Sequence, residues 1–287
     1  MRLLVVGGSG QLAQCLKERW PDAILAGRPM LDVRDPATIA KAIAESAPDA
    51  VVNAAGYTAV DAAEGDQGAA FAINRDGAAA VAREAARHGV PIVHISTDYV
   101  FSGTKSGPYN EADRPDPTGA YGRSKLEGED AVRAANPRHV ILRTAWVYSP
   151  FGNNFVKTML KLALTRPVIR VVDDQHGNPT SAHDLADGVI AAAKQFGGRD
   201  EVLGTFHFAG RGDTTWCGFA REIFAISEEL GGPVAAVEAI TTADYPTAAK
   251  RPANSRLDCG AFERRFGLAI PAWQESLRGC VARLLRV

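Results

Sequence analysis

The sequence predicts an α/β fold, in which a doubly wound parallel sheet carries a smaller C-terminal α/β lobe. Three observations predict it. Short apolar, β-branched segments alternate with helical segments through the first half of the chain, which is typical of a parallel sheet with helices on both faces. A glycine-rich turn joins the first strand to the first helix. After about Arg143 the alternation becomes irregular, so the later segments are predicted to form a smaller lobe.

The first half of the chain supplies the sheet and its helices. Apolar runs predict strands at residues 2–6, 23–26, 50–53, 91–95 and 139–142, and helical patterns predict helices at 11–20, 36–45, 68–88 and 119–135. Ligands of such sheets bind beyond the carboxyl ends of the strands. Because the distinctive motifs of this half all follow a strand end, the sequence predicts a binding site along that edge.

The second half contains shorter and more polar pieces. We predict helices at 155–164, 181–196, 216–230 and 271–285, strands at 168–172 and 204–208, and loops at 173–180 and 250–257. The dinucleotide-binding domain is predicted to span residues 1–143 and to include 165–196. Residues 144–164 and 197–287 are predicted to form the substrate-binding lobe.

The composition of the 287-residue chain, with 46% apolar and 23% charged residues, is typical of a soluble globular protein. The net charge of −1 predicts neither a nucleic-acid partner nor an anionic membrane partner. No apolar run approaches the roughly 20 residues of a membrane span, and the first strand begins near the N-terminus, so no signal peptide is expected. Cys15, Cys217, Cys259 and Cys280 form no C-x-x-C pair, which favours a reducing cytoplasm and no zinc site.

The glycine-rich turn has the spacing G-x-x-G-x-x-A, formed by Gly7, Gly10 and Ala13. Glycines allow the backbone to turn sharply and to approach a pyrophosphate, whose charge is met by N–H groups at the start of the helix. Gln11 and Leu12 lie in this turn. A strand before and a helix after it are the context that a Rossmann dinucleotide site requires, although an ordinary β–α turn is the alternative.

The second strand ends before Arg28, at a position where many dinucleotide folds carry an acid that binds the ribose 2′-hydroxyl. A guanidinium suits a 2′-phosphate, so Arg28 favours NADPH as cofactor, with NADH possible. A surface arginine in a loop is the alternative. Asp32 and Val33 follow shortly after and are predicted to flank the adenine.

Tyr121 and Lys125 are four residues apart and therefore share one helix face. An ammonium beside a phenol favours the phenolate, so Lys125 is predicted to lower the pKa of Tyr121 and to make it a general acid or base. Thr97, at the end of an upstream strand, could donate a second hydrogen bond to the same substrate oxygen. The pattern alone is weak, and a solvated helical pair is the alternative.

Further segments match one family in chain order: 52–55, 58–61, 96–101, 121–125, 143–148, 152–155, 174–180, 214–216 and 251–257. Through these segments the chain resembles the extended short-chain dehydrogenase/reductases over nearly its whole length. The resemblance implies that Tyr121 is the proton donor, that Lys125 assists it and holds the nicotinamide ribose, and that Thr97 binds the substrate carbonyl. It implies that the cofactor lies along Gly10, Gln11, Leu12, Asp32, Val33, Ala54, Ala55, Gly56 and Thr58, and that the substrate contacts Thr97, Asp98 and Trp146.

Three residues of the second half complete the predicted substrate site. Arg251 lies in a basic loop, and a nucleotide-sugar diphosphate carries negative charges that arginine binds well. A solvated loop charge is the alternative for Arg251. Gln175 lies in the polar loop 173–180, and Asn154 lies in the matching segment 152–155.

The resemblance implies an enzyme that uses NADPH to reduce dTDP-4-dehydro-β-L-rhamnose to dTDP-L-rhamnose, the last step of that synthesis. Two alternatives stay open. One is another nucleotide-sugar enzyme of this fold, such as an epimerase, a dehydratase or a different 4-ketoreductase. The other is a non-catalytic subunit that resembles the regulatory subunit of methionine adenosyltransferase.

Some members of the family bind magnesium at a dimer interface through glutamates near the first helix. Gln14 and Cys15 stand there in this chain. No metal is therefore expected, and the chain is predicted to be a monomer or a weak homodimer.

Overall fold

The computed structural model describes residues 1–197 and 203–286, so part of the predicted lobe segment 197–287 lies outside the described residues. Its strands are β1 Leu3–Val6, β2 Ile24–Ala26, β3 Ala50–Asn53, β4 Ile92–Thr97, β5 His139–Thr144, β6 Val147–Tyr148, β7 Val168–Val172, β8 His176–Gly177, β9 Thr180–Ser181, β10 Gly204–His207, β11 Thr214–Thr215 and β12 Ala236–Ile240. Its α-helices are α1 Gln11–Arg19, α2 Pro36–Ser46, α3 Val60–Gly65, α4 Gln67–Phe71, α5 Ala78–Arg87, α6 Ala120–Ala135, α7 Phe155–Ala163, α8 Ala182–Lys194, α9 Trp216–Glu229, α10 Gly260–Phe266 and α11 Trp273–Leu285.

The central sheet has six parallel strands in the order β10-β5-β4-β3-β1-β2. Apolar side chains of α1, α8 and α10 cover one face, and those of α2, α5 and α6 cover the other. The doubly wound parallel sheet predicted from the sequence is therefore confirmed. The strands β1 to β5 correspond to the five predicted ones, with β4 and β5 each extending two residues further than predicted.

A second, smaller core lies between α7, α9, α11 and the two-stranded parallel sheet of β7 and β12. Two segments lie in a different part of the molecule from the one predicted for them, the dinucleotide-binding domain or the substrate-binding lobe. Residues 168–172, assigned to the dinucleotide-binding domain, form β7 in the smaller core, whereas residues 204–207, assigned to the substrate lobe, form the edge strand β10 of the large sheet. The apolar pattern of a short strand predicts the strand itself. It does not show which sheet the strand joins, because that depends on the partner strand with which it forms hydrogen bonds.

The predicted helix at 68–88 is interrupted by a π-helical segment, Ala72–Gly77, which lies between α4 and α5. The short helix α3 lies before α4. The side chain of Asn74 in the π segment donates to the Tyr57 carbonyl and to the Ser124 hydroxyl, at 3.1 and 2.9 Å. Helix α6 packs so closely here that a Cβ on Gly128 would lie 2.1 Å from the Asn74 carbonyl oxygen. The π segment therefore joins α6 to the segment after β3, and such segments are frequent at functional sites.

A buried ion pair attaches α6 to the sheet. The carboxylate of Glu129 (α6) accepts from Nε and Nη2 of Arg143 (β5), at 2.8 and 2.7 Å, and from the Ser96 hydroxyl (β4) at 2.6 Å. Glu129 and Arg143 are 0% and 3% exposed. Burial alone would raise the pKa of Glu129, but the hydrogen bonds from Arg143 and Ser96 outweigh it and keep the pKa below its ordinary value. Glu129 is therefore a buried carboxylate that holds three elements together.

We expect Arg143→Met to lower the free energy of unfolding by about 3–5 kcal/mol, because it leaves the Glu129 charge buried without its main partner. The double variant Glu129→Gln with Arg143→Met should lose less than the single variant, since no unpaired charge stays behind. Urea unfolding measures both.

The control is Arg278→Met, which breaks a pair with Glu229 of similar length, 2.6 Å, between side chains that are more than half exposed. This change should cost under about 1 kcal/mol. Equal losses for the buried and the exposed pair would contradict the role assigned to Glu129 and Arg143.

Candidate active site

A cleft of about 380 Å³ lies along the carboxyl edge of the central sheet. Eleven of the residues predicted to form the site line it: Gln11, Leu12, Ala54, Ala55, Gly56, Thr58, Thr97, Asp98, Tyr121, Lys125 and Trp146. They come from the segments after β1, β3, β4 and β5 and from the start of α6. The prediction that the distinctive motifs meet at one edge of the sheet is therefore confirmed.

The turn after β1 has the features that a dinucleotide diphosphate requires. Gly7 has a φ of +93°, and a Cβ there would lie 2.7 Å from the backbone nitrogen of Ala55, so only glycine fits. Helix α1 begins beyond Gly10 without a side-chain cap and without an acidic residue in its first turn. Its first N–H groups are thus left for an anion, which fits the pyrophosphate of a nicotinamide cofactor.

Thr97 and Tyr121 lie side by side in the cleft. Tyr121 is 9% exposed and its ring packs edge-to-face on Tyr99, with ring centroids 5.5 Å apart. Burial raises the pKa of Tyr121 to about 12, while a hydrogen bond with Thr97 opposes the shift and the charge of Asp98 adds to it. Tyr121 is therefore a neutral phenol at physiological pH, which can donate a proton.

Lys125 lies one helical turn beyond Tyr121 and is 4% exposed. Its ammonium donates to the Ile95 carbonyl at 2.6 Å. Burial lowers the pKa of Lys125 to about 8, and the charge of Glu129 opposes this shift. The prediction that Lys125 lowers the pKa of Tyr121 is wrong in this structure, because burial of the phenol dominates and the ammonium is held by a backbone carbonyl of β4.

Asp98 follows Thr97 and is 4% exposed. Its Oδ1 accepts from the Thr97 hydroxyl at 2.9 Å, whereas Oδ2 is buried and finds no hydrogen-bond partner among the described residues. Burial raises the pKa of Asp98 to about 6, and the hydrogen bond from Thr97 opposes this shift. A buried acceptor of this kind in a cleft suits a hydroxyl group of a sugar.

Trp146 forms one wall of the cleft and stacks on Trp216 of α9, with ring centroids 3.7 Å apart and planes 12° from parallel. Its φ of +48° is unusual for a bulky residue and costs about 1–3 kcal/mol. The backbone after β5 therefore accepts strain in order to direct this indole into the cleft. Both indoles pack against the smaller core.

A second cavity of about 650 Å³ adjoins the cleft, because Tyr99 and Trp216 line both. Gln175 and Arg251, both predicted to bind substrate, line this second cavity. The amide of Gln175 donates to Thr242 at 3.0 Å. The predicted substrate residues therefore divide into two neighbouring groups, one at the catalytic centre and one in the larger cavity.

Arg251 is paired with an acid from the other lobe. Its Nη2 lies 2.5 Å from Oδ2 of Asp61 in α3, and Oδ1 of Asp61 accepts from the backbone N–H of Ala249 at 3.0 Å. Nη1 of Arg251 is buried and has no hydrogen-bond partner among the described residues. The guanidinium thus keeps unused donors beside the cavity while Asp61 fixes its position.

Asn154 lines neither of these two cavities. Its side chain caps α7, where Oδ1 accepts from the Lys157 N–H at 3.2 Å, and Nδ2 donates to Gln11 at 2.9 Å. The prediction that Asn154 contacts the substrate is therefore not supported by its position. It contacts a residue of the predicted cofactor turn instead.

The predicted adenine end lies outside the cleft. Val33 is 9% exposed and packs in the core between the sheet and α2, while the Asp32 carboxylate pairs with Arg34 at 2.6 Å. Hydrogen bonds from Arg34 are the main cause that lowers the pKa of Asp32 to about 2. Arg28 is exposed after β2, and its charge contributes to the same shift. Two arginines, Arg28 and Arg34, therefore lie near Asp32. Only Arg28 was predicted from the sequence to have a role.

Trp216 and Tyr99 are the main site residues that the sequence analysis did not assign. Both stand in segments that match the family, 214–216 and 96–101, which was the available signal. The position of Trp216 depends on packing of α9 against the segment after β5, and that of Tyr99 on packing against α3, α4 and α6. Among residues 1–197 and 203–286, no group of three or more His, Cys, Asp or Glu side chains is arranged to hold a metal ion.

Comparison with known proteins shows the family to which the chain belongs. The family model described as RmlD substrate binding domain matches residues 1–286. A dTDP-4-dehydrorhamnose reductase of Sinorhizobium fredii is 49% identical over 99% of this chain and 98% of its own length. The crystal structure of a dTDP-4-dehydrorhamnose reductase from Clostridium acetobutylicum has a TM-score of 0.92 at 38% identity and covers both chains fully.

A third relative was solved with a cofactor. The dTDP-4-dehydrorhamnose reductase of Bacillus anthracis in complex with NADP has a TM-score of 0.92 at 33% identity, and the match covers 98% of this chain and 99% of that one. These similarities extend over both the central sheet and the smaller core.

The lowered pKa of Lys125 predicts a pH dependence of stability. Below pH 8 the folded protein carries a buried ammonium; above pH 8 it loses that proton, while the unfolded chain keeps it up to about pH 10.5. The unfolded state then binds more protons, so this residue's contribution to the unfolding free energy rises with pH. Relative to Lys125→Met, the wild type should gain about 2–3 kcal/mol between pH 7 and pH 10.5.

Urea unfolding of both proteins across that pH range measures this difference. Lys41→Met is the control, because Lys41 is 71% exposed and should give a curve parallel to the wild type. A constant difference between the wild type and Lys125→Met would show that the pKa of Lys125 is not lowered.

Proposed function

The chain belongs to the RmlD substrate binding domain family, and on that premise we propose that it uses NADPH to reduce dTDP-4-dehydro-β-L-rhamnose to dTDP-L-rhamnose. The observation that carries the proposal is the arrangement of Thr97, Tyr121 and Lys125 in one cleft with the uncapped start of α1. The relatives of that name, aligned over nearly the whole chain, support the same activity.

The residues at the sheet edge fit a nicotinamide cofactor. Gly7, Gly10 and the first N–H groups of α1 would hold its diphosphate, and the segment from Ala54 to Thr58 would lie along it. Lys125 would hold the nicotinamide ribose. When bound, NADPH supplies the hydride, and the protein supplies position and electrostatic environment.

The side chains of the cleft account for the proton that the reduction needs. Tyr121 is protonated up to about pH 12 in this structure, so it can donate its proton to the oxygen that becomes the C4 hydroxyl. The hydroxyl of Tyr121 would donate to that oxygen and stabilise the negative charge that develops on it, and Thr97 would do the same once its hydroxyl turns from Asp98 to the substrate. Lys125, one turn away, is held by the Ile95 carbonyl, so its part in the proposal is to bind the nicotinamide ribose.

The second cavity supports a nucleotide-linked substrate. It is large enough for a nucleoside diphosphate and contains three arginines, Arg166, Arg170 and Arg251, beside the aromatic side chains of Phe155 and Trp216. With the sugar at Thr97, Asp98 and Trp146, the diphosphate would lie toward the unused Nη1 of Arg251. Gln175 donates one N–H to Thr242, which leaves its second N–H and its amide oxygen for the substrate.

The rival functions make different predictions for one assay. NADPH oxidation should proceed with dTDP-4-dehydro-β-L-rhamnose and give dTDP-L-rhamnose. A non-catalytic subunit would bind without turnover, and another 4-ketoreductase would prefer a different nucleotide sugar. Thr97, Tyr121 and Lys125 line one cleft, and this favours turnover, because a subunit that only binds has no need of these three groups together.

We also propose that the protein acts in the cytoplasm as a monomer or weak homodimer, without a metal. All four cysteines are free thiols, which fits a reducing compartment. None of the helices within the described residues is long and apolar enough to cross a membrane.

Tyr121→Phe should keep the fold and bind NADPH within about twofold of the wild type, but should lower kcat by about 10²–10⁴-fold, because the proton donor is lost. Fluorescence titration with NADPH and steady-state kinetics separate the two effects. Tyr148→Phe is the matched control, since it removes a buried hydroxyl that donates only to the Trp273 carbonyl at 3.1 Å. A Tyr121→Phe enzyme with kcat within twofold of the wild type would remove Tyr121 from the mechanism.

Arg28→Ala should weaken NADPH binding about tenfold or more and leave NADH binding nearly unchanged. The reason is the loss of a charge-assisted contact to the 2′-phosphate, worth about 1.5–3 kcal/mol. Titration with each cofactor measures the ratio. Arg87→Ala, at an exposed arginine that pairs with Glu84, should change neither affinity. Equal losses for both cofactors would assign Arg28 a structural role.

A further inference from the structure

The loop from Ser149 to Asn154, which leads into α7, is hydrogen-bonded to the first residue of α1. Gln11 Oε1 accepts from the Ser149 hydroxyl at 2.8 Å and from Asn154 Nδ2 at 2.9 Å. Asn154 Nδ2 also donates to the carbonyl oxygen of Ser149 at 2.8 Å. Ser149 is 1% exposed, so this contact is shielded from water. The smaller lobe thus holds a side chain of the predicted diphosphate turn.

Backbone groups determine which way the two amides face. The Lys157 N–H can only donate, so the atom of Asn154 beside it must be the oxygen. The carbonyls of Ser149 and Phe151 can only accept, so the other atom of Asn154 must be the NH2 group. Because that NH2 group points at Gln11, the facing atom of Gln11 must in turn be its oxygen.

The orientation of Gln11 has a consequence for the cleft. Its oxygen accepts from Asn154 and lies 2.8 Å from the Ser149 hydroxyl, whose one hydrogen is shared with the Phe151 carbonyl, whereas its NH2 group donates to no protein atom within the described residues. Gln11 lines the cleft at the uncapped start of α1. The unengaged part of the side chain is therefore a pair of N–H donors beside the N–H groups that suit an anion.

We propose that Asn154 and Ser149 are positioning residues for the cofactor: they hold the Gln11 amide so that its NH2 group is available to the diphosphate of NADPH. The inference rests on the proposed function, because it requires NADPH in this cleft. It assigns Asn154 to cofactor affinity instead of to substrate contact. It also makes the smaller lobe a determinant of how tightly the larger one binds NADPH.

Asn154→Ser separates this role from the helix cap, since serine is an equally good N-cap but is too short to reach Gln11. Fluorescence titration should show a dissociation constant for NADPH about five- to tenfold higher than in the wild type. Ser149→Ala, which removes the second donor without adding charge, should change it in the same direction. Affinity for dTDP alone, measured by calorimetry, should stay within about twofold. Asp66→Ser, a cap substitution at α4 away from the cleft, is the matched control.

A double-mutant cycle tests whether Asn154 acts through Gln11. Gln11→Ala should weaken NADPH binding about tenfold, and adding Asn154→Ser to it should cause no further loss. An equal further loss in the Gln11→Ala background would overturn the proposal, and so would an Asn154→Ser protein that loses affinity for dTDP and not for NADPH. A wild-type protein that binds no NADPH would instead refute the proposed function.

Discussion

The buried ion pair between Glu129 and Arg143 is the interaction on which the geometry of the site depends. It joins α6, which carries Tyr121 and Lys125, to β5, and through Ser96 to β4, which ends at Thr97. A carboxylate and a guanidinium removed from water tolerate little displacement, because each lost hydrogen bond exposes an uncompensated charge to a medium of low polarity. The pair therefore fixes the distance between a helix and a strand whose side chains line one cleft.

Burial then sets the ionisation of the groups at the centre. It raises the pKa of Tyr121 to about 12 and that of Asp98 to about 6, and it lowers that of Lys125 to about 8. All three shifts favour the uncharged form, as expected where water is excluded. A neutral phenol is the form needed to protonate an alkoxide, so the enclosure that favours hydride transfer also keeps the acid ready.

Three contacts between distant parts of the chain lie around the cleft and the second cavity. Gln11 contacts Asn154 at the turn after β1, Trp146 stacks on Trp216 in the wall of the cleft, and Asp61 pairs with Arg251 beside the second cavity. Each contact connects the segment after a strand of the sheet with an element of the smaller lobe or the tail. The walls of the cleft are therefore built from segments that lie far apart in the sequence.

The sequence by itself determined the doubly wound sheet, the order of its strands along the chain and the edge at which the site lies. These follow from local signals: apolar runs, a glycine turn at Gly7 and Gly10, and a helix with Tyr121 and Lys125 on one face. Tertiary structure alone decided which partners distant residues find. Gln11 and Asn154 are 143 residues apart, and Asp61 and Arg251 are 190 apart. It also decided the direction of the pKa shift of Tyr121, because sequence spacing shows which charge lies nearby but not how far water is excluded from both groups.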